Sequence, residues 1–170
     1  PGEVEGSDAV PGQKRLVVVM TTDRGLCGPV NSSLTRGTQR YLTALTNAGE
    51  DVSLVTLGEK GRVQLARDWL NHMEFAIDSC FDKEPTFALA SAISSKLLEL
   101  DFDTMTLVHN EFVNAARFEN VRRTFSNLGN LEEGEEPARF AGWDVEPEDA
   151  SVPETYMSMM EYCITGSLCY

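Results

Sequence analysis

The chain has 170 residues, 42% of them hydrophobic, with 27 acidic residues against 14 basic ones and a formal net charge of -13. That length and composition fit one globular domain with a sizeable core. No apolar run approaches the roughly 20 residues needed to span a bilayer, and the acidic balance argues against non-specific nucleic-acid binding, which needs a surface rich in lysine and arginine.

Residues 1–15 are rich in Gly, Pro, Glu and Asp and read as a linker. Pro1 stands where an initiator Met would, so a processed terminus or a piece of a longer chain is expected. The run Leu16-Val17-Val18-Val19-Met20 reads as a strand buried on both faces. A glycine-punctuated loop, Thr21 to Leu34, leads from it into an amphipathic helix, with Asn31, Ser32 or Ser33 as cap and Leu34, Tyr41, Leu42 and Leu45 inward. Asn47-Ala48-Gly49 is a helix stop.

Val52 to Leu57 reads as a second strand, Gly58-Glu59-Lys60-Gly61 as a turn, and Arg62 to Leu70 as a helix burying Val63, Ala66 and Leu70. A short strand follows at Met73 to Ile77, then a turn at Asp82 to Pro85. Thr86 caps a helix whose inward face carries Phe87, Ala90, Ile93, Ser94, Leu97 and Leu98. Phe102 to His109 is another strand, and Asn114 to Phe125 reads as an edge strand or ribbon. Between Leu131 and Glu154 the chain carries nine acidic residues against Arg139 alone, the composition of a solvated connection.

Pro153 then opens a helix in which Tyr156, Met159, Met160, Cys163, Ile164 and Ser167 step at three and four residues. No stop signal closes it, which predicts that a longer helix has been cut. The domain reading is therefore 1–15 linker, 16–130 α/β domain, 131–152 acidic connecting segment and 153–170 start of a C-terminal helix. Strands alternating with helices predict a Rossmann-like, mainly parallel sheet flanked by helices.

A loop at the carboxyl end of a parallel strand is where open α/β sheets bind ligands, so Thr21 to Leu34 is the first candidate for chemistry. A dinucleotide fingerprint needs three glycines at fixed places; Gly25 and Gly28 fall one short, and Asp23 would repel a phosphate. GEKG at Gly58 to Gly61 lacks the rest of a Walker-type phosphate loop. Asp23, Asp51 and Asp103 lie near strand ends, without a diagnostic spacing for a metal or charge relay. Cys27 sits in the loop as a candidate nucleophile, and only His72 or His109 could serve as its base. Cys27, Cys80, Cys163 and Cys169 show no CxxC pair or zinc spacing and read as reduced thiols. The residues thus leave a structural turn, with Asp23 accepting backbone N–H bonds and Arg24 facing solvent or a partner, beside a Rossmann-type nucleotide- or phosphate-binding enzyme as the alternative.

The run Asp23, Arg24, Gly25, Leu26, Cys27, Gly28, with Thr22 before it and Asn31 after, resembles the signature of the gamma subunit, the central stalk, of F-type ATP synthases. Gly58-Glu59-Lys60-Gly61 resembles the family's G-x-K-G turn, and Asn110-Glu111-Phe112 its N-x-F after a strand. Pro85-Thr86-Phe87 is similar to the mitochondrial branch, and Trp143-Asp144 with Glu146-Pro147-Glu148 resembles the segment before the last helix. Pro29 departs from the family's usual Gly. The resemblance implies an α/β domain set between two long coiled-coil helices that are largely absent from this sequence. It implies a non-catalytic rotor part, with no catalytic, cofactor or metal residues, that transmits torque between a proton-driven membrane ring and the catalytic head. The partners implied are the alpha and beta subunits of that head, through the missing coiled-coil helices, the small delta- or epsilon-type stalk subunits and the membrane c-ring, with no nucleic acid. Trp143, Asp144 and Val145 are the implied partner contact. The implied location is the matrix side of the mitochondrial inner membrane, peripheral to it, or the cytoplasmic side of a bacterial plasma membrane.

Overall fold

In the computed structural model, which describes residues 9–80, 86–114, 117–127 and 152–169, the first strand is β1 (Lys14–Met20). Its four residues Leu16 to Val19 have no solvent exposure at all, as expected of a strand covered on both faces. After it come α1 (Val30–Asn47), β2 (Asp51–Leu57), α2 (Glu59–Trp69), a short 3-10 turn (Leu70–His72) and β3 (Met73–Ile77). Then follow α3 (Phe87–Leu98), β4 (Thr104–Asn114), β5 (Arg117–Ser126) and α4 (Val152–Cys169).

The five strands form one sheet in the order β3-β2-β1-β4-β5. β1 pairs in parallel with β2, Val18 opposite Val55, and with β4, Val18 opposite Leu107; β2 pairs in parallel with β3. This is the mainly parallel, Rossmann-like sheet that the alternation of elements predicts. Parallel neighbours need a crossover, and α1 and α2 supply the first two. Val17 and Val19 of β1, Leu54 of β2 and Val108 of β4 form one core cluster with Leu34, Tyr41, Leu42 and Leu45 of α1 and Leu65 of α2.

The chain divides into two compact units, the first holding the sheet with α1 and α2, the second holding α3 and α4. In the second, Thr86 caps α3 by accepting from the backbone N–H of Leu89 at 3.2 Å. Ala90, Ile93, Ser94 and Leu97 are its buried face, and α4 buries Met160, Ile164, Thr165 and Leu168. The helices are tied by a buried hydroxyl pair, Thr165 Oγ1 donating to Ser94 Oγ at 2.9 Å, and by Ser95 Oγ donating to Glu161 Oε1 at 2.8 Å.

Several local expectations change. α2 starts at Glu59, so the expected GEKG turn is its N-terminal cap and first turn, and its buried positions are Gly61 and Leu65. Val63 and Leu70 are exposed instead, because the inward stripe is the one that packs Gly61 against Thr21 and carries Leu65, four residues on. α1 is preceded by Pro29 with no side-chain cap; Asn31 turns back into the loop. β4 runs five residues past His109 to Asn114. On α4, Cys163 is exposed and Leu168 is buried, a rotation of the predicted stripe.

Candidate functional site

The loop Thr21 to Pro29 leaves the carboxyl end of β1, between β2 on one side and β4 on the other. This is where the strand order reverses, the usual ligand position in such sheets. Its own side chains are turned onto the next turn of the chain. Thr21 continues the β1–β2 ladder with its N–H to Leu57 O at 2.8 Å. Its Oγ1 accepts from Gly61 N–H at 2.8 Å and lies 3.3 Å from both Leu57 O and Gly58 O. Asp23 Oδ1 accepts from Glu59 N–H at 2.8 Å and Ser79 N–H at 2.9 Å, while Lys60 N–H reaches Thr22 O at 3.4 Å.

A helix leaves its first N–H groups without intrahelical partners, and Gly58 has no side chain to cap them. The loop supplies all three acceptors for Glu59, Lys60 and Gly61. The carboxylate of Asp23 sits where the helix dipole favours negative charge. In a phosphate-binding site that position belongs to the ligand; at α2 the protein's own carboxylate fills it.

The contact is close enough to dictate glycine. Gly58 has φ +102°, and a Cβ built on it would lie 2.3 Å from Thr21 O. A Cβ on Gly61 would lie 2.8 Å from Thr21 Oγ1. The motif glycines of the second turn are therefore fixed by the threonine of the first.

Asn31 closes the other side of the loop. Its Oδ1 accepts from Thr22 N–H at 3.1 Å, and its Nδ2 donates to Thr22 Oγ1 at 2.8 Å and Arg24 O at 3.3 Å. Asn110 of β4 donates to Val30 O at 3.1 Å and accepts from Asn120 of β5, whose Oδ1 in turn accepts from Ser33 Oγ at 3.1 Å. The three motif segments at Thr22 to Asn31, Gly58 to Gly61 and Asn110 to Phe112 thus converge on one end of the sheet.

Around this frame Arg24, Gly25, Leu26 and Gly28 are exposed. Gly28 has φ +59°, and Leu26, fully exposed, has φ +60° in the left-handed region that a leucine seldom adopts. Cys27 is half-buried, with Sγ 3.4 Å from Gly25 O and 3.6 Å from Arg24 O. Neither histidine hydrogen-bonds it: His72 Nδ1 meets Val52 O at 3.0 Å, and the buried Nε2 of His109 has no hydrogen-bond partner among the described residues. Cys80, beside Ser79, is buried, and burial first and the charge of Asp23 second push its thiol up to about 11.

Asp23, Asp51 and Asp103 do not form a cluster. Asp51 and Asp103 stand at the amino end of the sheet, where Asp103 Oδ2 accepts from Lys14 N–H at 2.9 Å, and Asp23 stands at the other end. β1 separates them by about 20 Å at a strand's rise per residue. Trp143, Asp144 and Val145 lie outside the described residues, as does most of the acidic segment. Sequence reasoning missed Thr21 and Ser79. The spacing Gly58-x-x-Gly61 on one helix face was the available sign that something packs against that turn.

These features define a class: an α/β domain of doubly wound strand order whose first strand–helix loop is fastened to its second. A family model described as ATP synthase matches residues 3–170. The chain belongs to the ATP synthase gamma family. It is 36% identical over 107 residues to the ATP synthase gamma chain of Erythrobacter litoralis, covering 61% of this chain and 37% of that one. To the mitochondrial ATP synthase gamma subunit of Saccharomyces cerevisiae it is 28% identical over 159 residues, covering 91% and 48%. The chain thus spans less than half the length of these relatives. Among solved structures, a chain of the central stalk and c-ring of Tetrahymena thermophila mitochondrial ATP synthase superimposes with a TM-score of 0.70 at 26% identity, covering 95% of this chain and 69% of that one.

Proposed function

We propose that this chain is the α/β domain of a central-stalk rotor subunit of F-type ATP synthase, transmitting torque between a proton-driven membrane ring and the catalytic head without making or breaking covalent bonds. The observation that carries the reading is the likeness to the Tetrahymena central stalk over 95% of the chain. The site geometry supports it. A ligand loop must leave its polar groups open, whereas here Asp23, Thr21 and Asn31 spend theirs on the protein itself. A loop bound on both sides suits a part that carries load and keeps its shape.

On this reading the coiled-coil helices of the complete subunit meet the alpha and beta subunits, while the domain meets the c-ring and the small delta- or epsilon-type subunits. Trp143 to Val145 supply one such contact, and Asp23 to Gly28 form either a second contact or a turn alone. The working division is a linker at 1–15, the α/β domain at 16–130, an acidic connection at 131–152 and a helix start at 153–170. The mitochondrial relatives support a mitochondrial setting, and on this reading the complex stands at the inner membrane with this domain peripheral to it on the matrix side.

The test is purification of the native protein from membranes under mild detergent. Co-migration with the other ATP synthase subunits on a sizing column, and an intact mass near roughly 30 kDa from the added helices, is the expected result. A native species that migrates alone overturns the reading.

A further inference from the structure

One flank of this acidic chain has the opposite sign. α1 carries no Asp or Glu along its 18 residues. Its exposed side presents Arg36 and Arg40 one turn apart, and with Gln39 and Thr43 they line a shallow hollow of about 400 Å3. Both guanidinium groups are anchored at the base. Arg36 Nε donates to Ser32 O at 3.0 Å and Arg40 Nε to Arg36 O at 3.3 Å, which holds each side chain along the helix and leaves its terminal nitrogens free of that bond.

β5 brings a third cation to the same flank. The strand is held to α1 by Asn120 on Ser33, and two residues on Arg122 lies over the Tyr41 ring, its guanidinium carbon 4.6 Å from the centroid. Other cations of this unit are paired with carboxylates: Lys60 with Glu59, Arg62 with Asp78 and Arg117 with Glu119. Arg36, Arg40 and Arg122 have no carboxylate partner among the described residues. Beside the hollow, Asp68 of α2 accepts from Gln39 Nε2 at 3.3 Å.

We infer that the flank formed by Arg36, Arg40 and Arg122 docks a short acidic segment of a partner protein. The guanidinium fork pairs bidentately with carboxylates, and two forks one helical turn apart match acidic residues spaced along a helix or strand. Charge complementarity also sets the size of the occupant. A long polyanion or an anionic bilayer would extend well beyond the flank, over more than the roughly 8 Å screening length, and meet the rest of a surface whose net charge is -13. A short acidic segment covers only the basic flank. This inference rests on the charge pattern and is independent of the rotor reading.

The experiment uses the full chain and a fluorescently labelled octaglutamate peptide, read by anisotropy at low and then rising salt. Binding that weakens with salt is expected. Arg36→Gln and Arg40→Gln should each weaken it by about 2- to 5-fold, and the double variant by about 10-fold, the range for solvent-accessible ion pairs. Arg62→Gln, whose cation is already paired with Asp78, should leave binding unchanged. All of these positions are outside the core, so unchanged circular dichroism checks that the variants fold. Absence of peptide binding at low salt overturns the inference, as does binding that the Arg36 and Arg40 variants leave intact. Binding of phosphatidylserine vesicles or of a single-stranded oligonucleotide through these arginines, with no binding of the peptide, overturns it too.

Discussion

At the amino end of the sheet, Arg15 is 2% exposed and its guanidinium meets Glu50 through two nitrogens, Nε to Oε2 at 2.6 Å and Nη2 to Oε1 at 2.9 Å. The same arginine reaches Thr106 of β4 and Gln13, while Glu50 also accepts from Val10 N–H at 2.7 Å. The loop at the carboxyl end is held through backbone groups. Thr21, Asp23 and Asn31 reach backbone N–H and C=O groups, and the contact works only because Gly58 and Gly61 lack a Cβ. One end is fastened by buried charge and the other by shape. The first cannot lose one partner, and the second cannot gain one carbon atom.

Glu50→Ala should produce the largest effect, because it leaves the buried Arg15 cation without its counter-charge. The expected loss is about 3–5 kcal/mol in urea unfolding. Replacing both residues with apolar ones of similar volume, Arg15→Met with Glu50→Leu, should recover most of it. A double variant as unstable as the single one would show that Glu50 acts through Val10 and the incoming chain instead. At the other end, Gly58→Ala combines left-handed backbone with a clash against Thr21 O, and the expected cost is about 2–4 kcal/mol. Gly28→Ala is the control, since φ is again positive but nothing lies within 4 Å; about 1 kcal/mol is expected. Equal costs at Gly58 and Gly28 would remove shape as the fastening principle.

The two ends were also unequally legible. The valine run of β1, the stop at Gly49, the Thr86 cap and the parallel order follow from periodicity and local chemistry, which act over a few residues. The carboxyl-end loop was visible as a glycine-rich motif, yet its meaning was not, because Thr21 and Gly61 are 40 residues apart and only the β1–β2 register brings them together. GEKG read as a turn because glycine is a poor helix former; the acceptors supplied by the loop override that local preference. The Arg15–Glu50 pair left no sign in the sequence. An arginine at the start of an apolar strand reads as a flank, and nothing local points to a glutamate 35 residues on.

Asp23 tests whether the carboxyl end depends on charge at all. Asp23→Asn keeps an acceptor for Glu59 and Ser79 but removes the anion at the start of α2. The expected loss is about 1 kcal/mol, and Asp23→Ala should cost about 1–3 kcal/mol because two N–H groups lose their partner. If Asn costs as much as Ala, charge dominates and the contrast between the two ends collapses. Leu26→Gly should move the other way, raising stability by up to about 1 kcal/mol, since the exposed side chain gives up no burial and the φ of +60° suits glycine.

The two thiols at this end give the finest reading. Cys27 is half-buried, and Cys27→Ser should shift stability by less than about 0.5 kcal/mol, as at other positions without buried contacts. Cys80 is buried, and its thiol is raised to about 11 from a reference of 9.0. A group whose folded pKa lies above its unfolded value contributes stability in its protonated form. That contribution is complete below pH 9 and is lost as the pH climbs through about 11, where the folded protein at last ionises too. At pH 8 the buried Cys80 thiol stays protonated, so iodoacetamide should alkylate Cys27 in the native protein and reach Cys80 only after unfolding. Mass mapping of the alkylated peptides reads this directly. Asp23→Asn should bring the Cys80 thiol down, because the carboxylate is the second cause of its elevation; native Cys80 that alkylates as fast as Cys27 would mean that the loop opens from α2 on the timescale of the reaction.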